Sequence, residues 1–493
     1  MSASPLPALT YKEEKEAWVS NCTGGSIFEI FAIASSCAIS HWFYLSLVKS
    51  KFINPNSFIW QFIIYVIPSL LLQTIFSEHV LQILSGMIFL TINVIYRSLE
   101  EDPNIARIQE LLKQKEKKNS NDTSTSIAAD KDELKENKKK SINTTSTIST
   151  YKPYLTVYRG ATMLLTCIAI LAVDFPVFPR RFAKVETFGT SLMDIGVGSF
   201  VFSSGIIASK STSKNLQQLN IGSRFWKAIK SSIPLLFLGL TRLLLTKGVD
   251  YQLHNSEYGL HWNFFITLGL LPPLVFFATW LKSDQRIQYS FVGWMIAVMY
   301  QYILYQYSLQ HWILEAPRTS LLSANKEGIC SLFGYLAIFL IGIDTGNTLF
   351  SAIDNNNVIS IQLSVKSIFY WLALGLWNLV LKGEQFNISR RLCNLPYIIW
   401  VVSFNLSLIT ILIWVENKMN AQKVDPPRLL TFINLNGLAT FLLANVLTGL
   451  INLSMKTLYA SSLESMLVLF IYITIVVLFP WILWDVFQIR IRL

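Results

Sequence analysis

The chain has 493 residues, 52% of them hydrophobic and only 14% charged, with a formal net charge of +11. Soluble globular domains carry about a quarter charged residues, and here the deficit extends over most of the chain, which excludes an ordinary water-soluble fold. The basic residues lie mainly between apolar runs, where they set topology and meet lipid headgroups. No nucleic-acid-binding motif accompanies them, so nucleic acid is not expected as a partner.

Inside a bilayer no water satisfies the backbone, so spanning elements are helices or a closed barrel. Barrel strands read as alternating segments of about ten residues. The apolar runs here are instead continuous and about twenty residues long, the length a spanning helix needs. The sequence therefore predicts an all-α, polytopic integral membrane protein with about thirteen transmembrane helices.

In chain order, residues 1–25 form a polar N-terminal segment without a cleavable signal peptide, and the run beginning near Ser26 reads as an uncleaved first helix. The predicted spans are 26–48, 58–76, 79–97, 156–174, 190–208, 231–246, 261–280, 288–308, 329–349, 363–382, 397–415, 429–451 and 464–486. Three spans fall within 26–97 and the rest within 154–488, and 489–493 is a short tail. Between the third and fourth lies 98–153, with KQKEKKNSNDTSTSIAADKDELKENKKKSINTTSTIST, which cannot bury enough apolar surface to order itself. It is predicted to be a disordered loop, with a coiled coil over 105–118 as the second reading.

The loop basic residues, including Lys210, Lys214, Arg224, Lys227, Lys230, Arg490 and Arg492, place the 98–153 loop and the C terminus in the cytoplasm and the N terminus outside it. Glycosylation sequons at Asn21 and Asn387 fall on the outer side, and those at Asn121 and Asn143 on the cytoplasmic side. The five cysteines, Cys22, Cys37, Cys167, Cys330 and Cys393, form no CxxC pair. With no ligand spacing among acidic and His residues, no metal is expected.

The densest polar stretch near the membrane is LAVDFPVFPRRFAKVETFGTSLMDIGVGSFVFSSG at 171–205. Asp174 closes one span, Pro176 and Pro179 stop the helix, and Arg180, Arg181, Lys184 and Glu186 follow. Asp194 lies inside the next apolar run, where a carboxylate needs a partner or a wet cavity. The glycines at 189, 196, 198 and 205 allow close helix approach. Further polar groups on the same predicted side are His261 and Asn263 in HWNFF, Asn325 and Glu327 in SANKEG, and Arg390 and Arg391 in SRRLCNLPY, while the twelfth span carries Asn436 and Asn445. Blander readings stand beside these. The arginines can hold lipid phosphates, His261 can be an interfacial histidine, the asparagines can bond between helices, and Asp174 with Lys184 can be an orienting ion pair.

YRG followed by AILAVDFPVFPRRFAKVETFGTSLMDIGVGSFVFSSGI, and then HWNFF, SANKEGI, SRRLCNLPY and NGLATFLLANVLTGLINLSM with NCTGGSIFEI near the N terminus, resembles the PIG-W family in the family's order. These are inositol acyltransferases of glycosylphosphatidylinositol (GPI) biosynthesis. The resemblance covers nearly the whole chain except 98–153. It implies an endoplasmic reticulum enzyme with about thirteen spans and a lumenal N terminus. It implies transfer of a fatty acyl group, typically palmitoyl, from acyl-CoA as co-substrate to the inositol ring of glucosaminyl-phosphatidylinositol, at the 2-position, with no bound cofactor. It also points to Asp174 and Lys184 as an acid–lysine pair.

Acyl transfer from a thioester to an alcohol needs a base for the hydroxyl proton, a stabiliser for the oxyanion, and exclusion of water. No Ser or Cys sits in a nucleophile-plus-base setting, so direct transfer is favoured over an acyl-enzyme. The expected roles are Asp174 as base, Lys184 as stabiliser, and Arg180 and Arg181 as phosphate clamps, with His261 as a rival base. Glu186, Asp194, Asn263, Asn325, Glu327, Arg390, Arg391, Asn436 and Asn445 are expected to line the pocket. One tension remains: acyl-CoA is made in the cytoplasm, yet the cluster reads as lumenal. The competing classes are a lipid or solute transporter, against which stands the absence of internal repeats, and a non-catalytic subunit of a glycolipid-synthesis complex.

Overall fold

The computed structural model describes residues 10–100, 152–214, 220–247, 255–281, 287–351, 355–421 and 424–491. The loop predicted over 98–153, with its sequons Asn121 and Asn143, lies almost entirely outside the described residues, as does Arg492.

Among the described residues the protein is all-helical, and every predicted span except 429–451 coincides with one helix. The helices are α1 (Tyr11–Val19), α2 (Ile27–Lys49), α3 (Phe58–Gln73), α4 (Val80–Glu100), α5 (Pro153–Ala172), α6 (Leu192–Lys214), α7 (Ile221–Lys247) and α8 (Phe264–Leu281). They continue as α9 (Tyr289–Gln306), α10 (Lys326–Leu349), α11 (Asn356–Val380), α12 (Leu395–Met419), α13 (Arg428–Leu435), α14 (Gly437–Ser454) and α15 (Ser462–Asp485). Nine of these are long and apolar enough to cross a membrane, and Phe58–Gln73 and Phe264–Thr279 are shorter apolar helices. Helix α7 carries Arg224, Lys227, Lys230 and Arg242 along its length. The chain is a polytopic membrane protein.

Local chemistry fixes the helix ends. Ser26 caps α2 by accepting from the Phe28 N–H, and Asn394 caps α12 by accepting from Tyr397, with Pro396 in the first turn. Ser461 and Glu464 form a capping box on α15. In α3 the residues Phe62–Val66 form a π turn in which the Ile67 N–H reaches Phe62 O. Pro68 follows at once and has no N–H to give, so the shifted ladder accommodates it. The helices run on through Pro272, Pro273 and Pro480.

The centre of the bundle is α10 with α12, buried along most of their length. Glycines set how closely their neighbours approach. A Cβ on Gly205 of α6 would meet the Phe339 carbonyl of α10, and one on Gly342 or Gly346 would meet the Phe202 or Ile206 carbonyl of α6. Backbones packed this closely are the small-xxx-small solution for helices in lipid. Gly198 makes room for the Val401 side chain of α12, whereas Gly196 has only ordinary contact with Thr166.

Three features differ from the sequence reading. The polar N-terminal segment contains a capped helix, α1, closed by Thr10 and Glu13. The predicted span 429–451 is broken at Asn436 into α13 and α14. Gly189 serves a loop crossing and not a helix contact: Gly24 and Gly189 both have positive φ, at 85° and 144°, and each would strike the other's segment if it carried a Cβ.

Candidate functional site

The polar residues converge on one face of the bundle, the face that carries α1. Segment 22–25 threads through the loop joining α5 to α6. Glu186 N donates to Cys22 O at 3.2 Å, Gly25 N to Thr190 O at 2.7 Å, and the Thr190 hydroxyl to Gly25 O at 2.7 Å. The loop before α12 completes the crossing, with Gly189 N donating to Ile388 O at 2.8 Å.

Asp174 sits just past the end of α5 with its side chain 12% exposed. One carboxylate oxygen lies 3.3 Å from the Lys15 ammonium of α1, and the other accepts from Asn452 Nδ2 of α14 at 2.8 Å. Lys15 also donates to Asn452 Oδ1 at 2.7 Å, closing a triangle. Arg180 lies beside this group. It donates from Nη1 to Val173 O at 2.9 Å and stacks 4.9 Å from the centre of the Trp18 ring. Its Nε and Nη2 are buried with no hydrogen-bond partner among the described residues. Burial lowers the affinity of this guanidinium for its proton, and the Cys22 thiol and Asp174 carboxylate offset part of that loss.

Lys184 belongs to a second group. Its ammonium lies 2.5 Å from Glu257 Oε1, an oxygen that is also 3.7 Å from Arg390 Nη2. Arg390 Nε in turn lies 2.6 Å from Asp194 Oδ1, and both of these side chains are almost fully buried. Ser191 Oγ and Val185 N donate to the other Asp194 oxygen at 2.7 and 3.1 Å. Burial alone would lower the Arg390 pKa, but Glu257 and Asp194 hold it well above the usual value. The chain Asp194–Arg390–Glu257–Lys184 therefore ties three separate loops together.

A third group centres on Glu327, which accepts from Arg318 Nη2 at 2.6 Å and from Arg391 Nη2 at 2.9 Å. Adjacent arginines thus serve different carboxylates. The loop that splays them is sewn by Asn394, which donates to Asn387 O and accepts from Ser389 N, and by Cys393 in a left-handed conformation at φ 48°. A fourth group is Arg181, which pairs with Glu29 of α2 at 2.8 Å and with Glu78, in the turn before α4, at 2.7 Å. Burial disfavours the charged form of Arg181, and these two carboxylates more than offset it.

The sequence-predicted residues thus divide. Asp194 joins Arg390 directly, Glu327 joins Arg391, and Asn325 Oδ1 accepts from the His261 backbone N–H at 2.8 Å. The expected ion pair between Asp174 and Lys184 does not form, because Lys15 and Glu257 take their places. The His261 ring is exposed, and Glu186 enters the loop crossing through its backbone. Asn263 caps α8, accepting from Phe265 N and Ile266 N and donating to Gly239 O. Asn445 bonds to Phe441 O of its own helix. Asn436 accepts from Ile491 N of the C-terminal tail, so it secures the helix break rather than the polar face. Sequence reasoning missed Lys15, Asn452, Glu257, Glu29, Glu78 and Arg318. Only Glu29 carried a signal, as an acid at the start of an apolar run.

The GWT1 family model matches residues 11–483. Similar proteins include GPI-anchored wall transfer protein 1 of Aspergillus fumigatus, 38% identical over 94% of this chain and 96% of its own length. The proteins of that name from Gibberella zeae and Saccharomyces cerevisiae are 37% and 36% identical, each over 94% of this chain and over 95% and 96% of their own lengths. With these matches running from α1 into α15, through every loop of the polar face, the chain belongs to the GWT1 family, which is the PIG-W family, and to the membrane proteins of GPI-anchor biosynthesis.

Proposed function

We propose that the protein transfers a fatty acyl group, typically palmitoyl, from acyl-CoA to the inositol ring of glucosaminyl-phosphatidylinositol, in the endoplasmic reticulum membrane with the α1 face lumenal. The observation that carries this reading is the juxtaposition of Asp174 and Arg180 on one loop. Asp174 uses each oxygen once, for Lys15 and for Asn452. A carboxylate has about four lone-pair sites, so room remains to accept a hydroxyl proton. Arg180, beside Cys22 and Asp174 on this loop, is the cation we assign to a substrate phosphate, a role that requires its buried Nε and Nη2 to become accessible.

In this reading the inositol hydroxyl attacks the thioester carbonyl directly. The hydroxyl proton passes to Asp174, the C–S bond breaks, and the leaving sulfur takes that proton back from Asp174, so that CoA departs as the thiol and the carboxylate is restored. Lys184, on the same loop, is the cation assigned to the developing oxyanion, a role that requires it to exchange its contact with Glu257. Arg181, Arg390 and Arg391 each hold carboxylates and act as positioning residues. The transporter reading is distinguished by chemistry, since a transporter leaves the thioester intact.

The test is mass spectrometry of glucosaminyl-phosphatidylinositol incubated with the purified protein and palmitoyl-CoA, with free thiol measured in parallel. An acylated inositol and one thiol per transfer are expected. Asp174→Asn should lower kcat by about 10²–10⁴-fold, the range for loss of a general base. Full transfer by both Asp174→Asn and Lys184→Ala would remove the proposed roles.

A further inference from the structure

The YRG motif carries a charge that the polar face does not use. Arg159 lies about 9 Å along α5 from Pro153, at about 1.5 Å per residue. It therefore belongs to the end of the bundle remote from Asp174, where α5 begins and α6 ends. It is half-buried, and among the described residues no carboxylate pairs with it. Apart from its neighbour Tyr158, the groups that interact with it electrostatically are cations: Arg490 of the C-terminal tail and Lys210 near the end of α6. Backbone contacts hold the tail in place. Ile491 N donates to Asn436 Oδ1 at 2.9 Å and Asn436 Nδ2 to Ile489 O at 3.5 Å, so Arg490 sits between two anchored residues. Around that anchor α5 meets α13 and α14: a Cβ on Gly160 would strike Leu430 O, and one on Gly437 would press on Met163. Lys210 is exposed, its ammonium 4.2 Å from the centre of the Phe350 ring just past α10. The acid that closes α15, Asp485, pairs with Arg428 at 3.7 Å.

Arg159 and Arg490 repel one another, and a cation at membrane depth is costly unless an anion joins it. We infer that Arg159, Arg490 and Lys210 form a phosphate-binding site at the end of the bundle opposite α1, separate from the Asp174 face. Two guanidinium groups and an ammonium suit phosphate, whose oxygens match the arginine fork. Arg490 and Lys210 are exposed and Arg159 lies deeper, so a ligand first meets the outer cations and then reaches in to the third. That depth favours a phosphate carried on a slender group over a broad polyanion. Such a phosphate has two sources on this face: a nucleotide coenzyme in the aqueous phase, or the headgroup of an anionic lipid in the adjoining leaflet. The inference rests on the proposed function only in its coenzyme arm. There the site holds the nucleotide end of acyl-CoA, and the rest of the molecule has to cover the roughly 22 Å of chain axis between Arg159 and Asp174.

The test uses the full chain in detergent and two probes. Free coenzyme A is titrated by calorimetry, and phosphatidylinositol 4-phosphate is competed against phosphatidylcholine in native mass spectrometry. Arg490→Gln, in the exposed tail, and Arg159→Gln should each weaken binding of at least one probe by about tenfold or more, the loss of a charged hydrogen bond. Lys418→Gln removes an exposed cation at the end of α12 on the same face and should leave binding unchanged. A loss confined to coenzyme A assigns the phosphate to the coenzyme, and KM for palmitoyl-CoA should then rise while KM for the glycolipid stays the same. A loss confined to the phosphoinositide assigns it to the lipid. Either result supports the site. Failure of the wild type to bind both probes overturns it, as does equal weakening by Lys418→Gln, which would reduce the effect to overall charge. Wild-type affinity for both probes in Arg490→Gln and Arg159→Gln also overturns it, and if Arg159→Gln does not fold, Arg490→Gln alone decides. Intact coenzyme binding without acyl transfer would defeat the proposed function and leave this site standing.

Discussion

A buried carboxylate inside an apolar helix announces that it has a partner without saying which. Asp194 did so, and its partner Arg390 lies 196 residues away in sequence. The separation explains why the pair was not legible: helix periodicity fixes neighbours three and four residues apart, whereas ion pairs across loops depend on the finished packing. The same limit hid Lys15 and Glu257, which take the places that Asp174 and Lys184 were expected to fill for one another. Removing one member of the buried pair leaves the other charged and dry. Arg390→Ala should therefore destabilise the protein by about 3–5 kcal/mol, read as a fall in thermal midpoint in detergent. Asp194→Leu combined with Arg390→Leu should cost less than the sum of the two single changes, because the double variant leaves no orphan charge. Additive losses would show that the two side chains act separately.

At the scale of elements, apolar run length located the long helices, all but the break at Asn436, because in lipid no other open structure satisfies the backbone. What run length could not give was the crossing geometry, or the role of the short polar helix before the first span. The α6–α10 crossing depends on Gly205, Gly342 and Gly346. Gly346→Leu should lower the thermal midpoint and the yield of folded protein, since the added side chain meets the Ile206 carbonyl and Ser209. Gly86 is the internal control. It lies within α4 with no atom in range of an added Cβ, so Gly86→Ala should be neutral or stabilise by about 0.5–1 kcal/mol. Helix α1 is attached to the polar face by Lys15 on Asp174 and Asn452, by Glu14 on Tyr459, and by Trp18 under Arg180. Lys15→Ala is expected to reduce kcat by roughly tenfold while KM for acyl-CoA stays the same, with Lys15→Arg recovering most of the loss. Equal kinetics in Lys15→Ala and wild type would make α1 a surface ornament of the site.

For the whole molecule, the alternation of the helices places α1, the α5–α6 loop, the loops before α10 and α12, and the α14–α15 turn on one face, and the ion pairs among them require it. The opposite face receives the short α2–α3 connection and the C-terminal tail, whose Ile491 N–H bonds to Asn436 at the break between α13 and α14. This two-sidedness decides how the substrates meet. Under the proposed acyl transfer with a lumenal α1 face, a glycolipid in that leaflet would reach Asp174 laterally, whereas cytoplasmic acyl-CoA would have to send its thioester through the depth of the bundle. The orientation therefore carries mechanistic weight and can be measured directly. Asn21 and Asn387 are both exposed on the α1 face. If that face is lumenal, at least one should carry a glycan that endoglycosidase removes, and Asn21→Gln with Asn387→Gln should abolish the mobility shift. A cysteine introduced at Ser57, between α2 and α3, should react with an impermeant thiol reagent only in permeabilised cells or from the cytoplasmic side of sealed microsomes. Labelling of that cysteine from the lumen would invert the protein, bring the Asp174 loop to the cytoplasm, and remove the need for the thioester to cross.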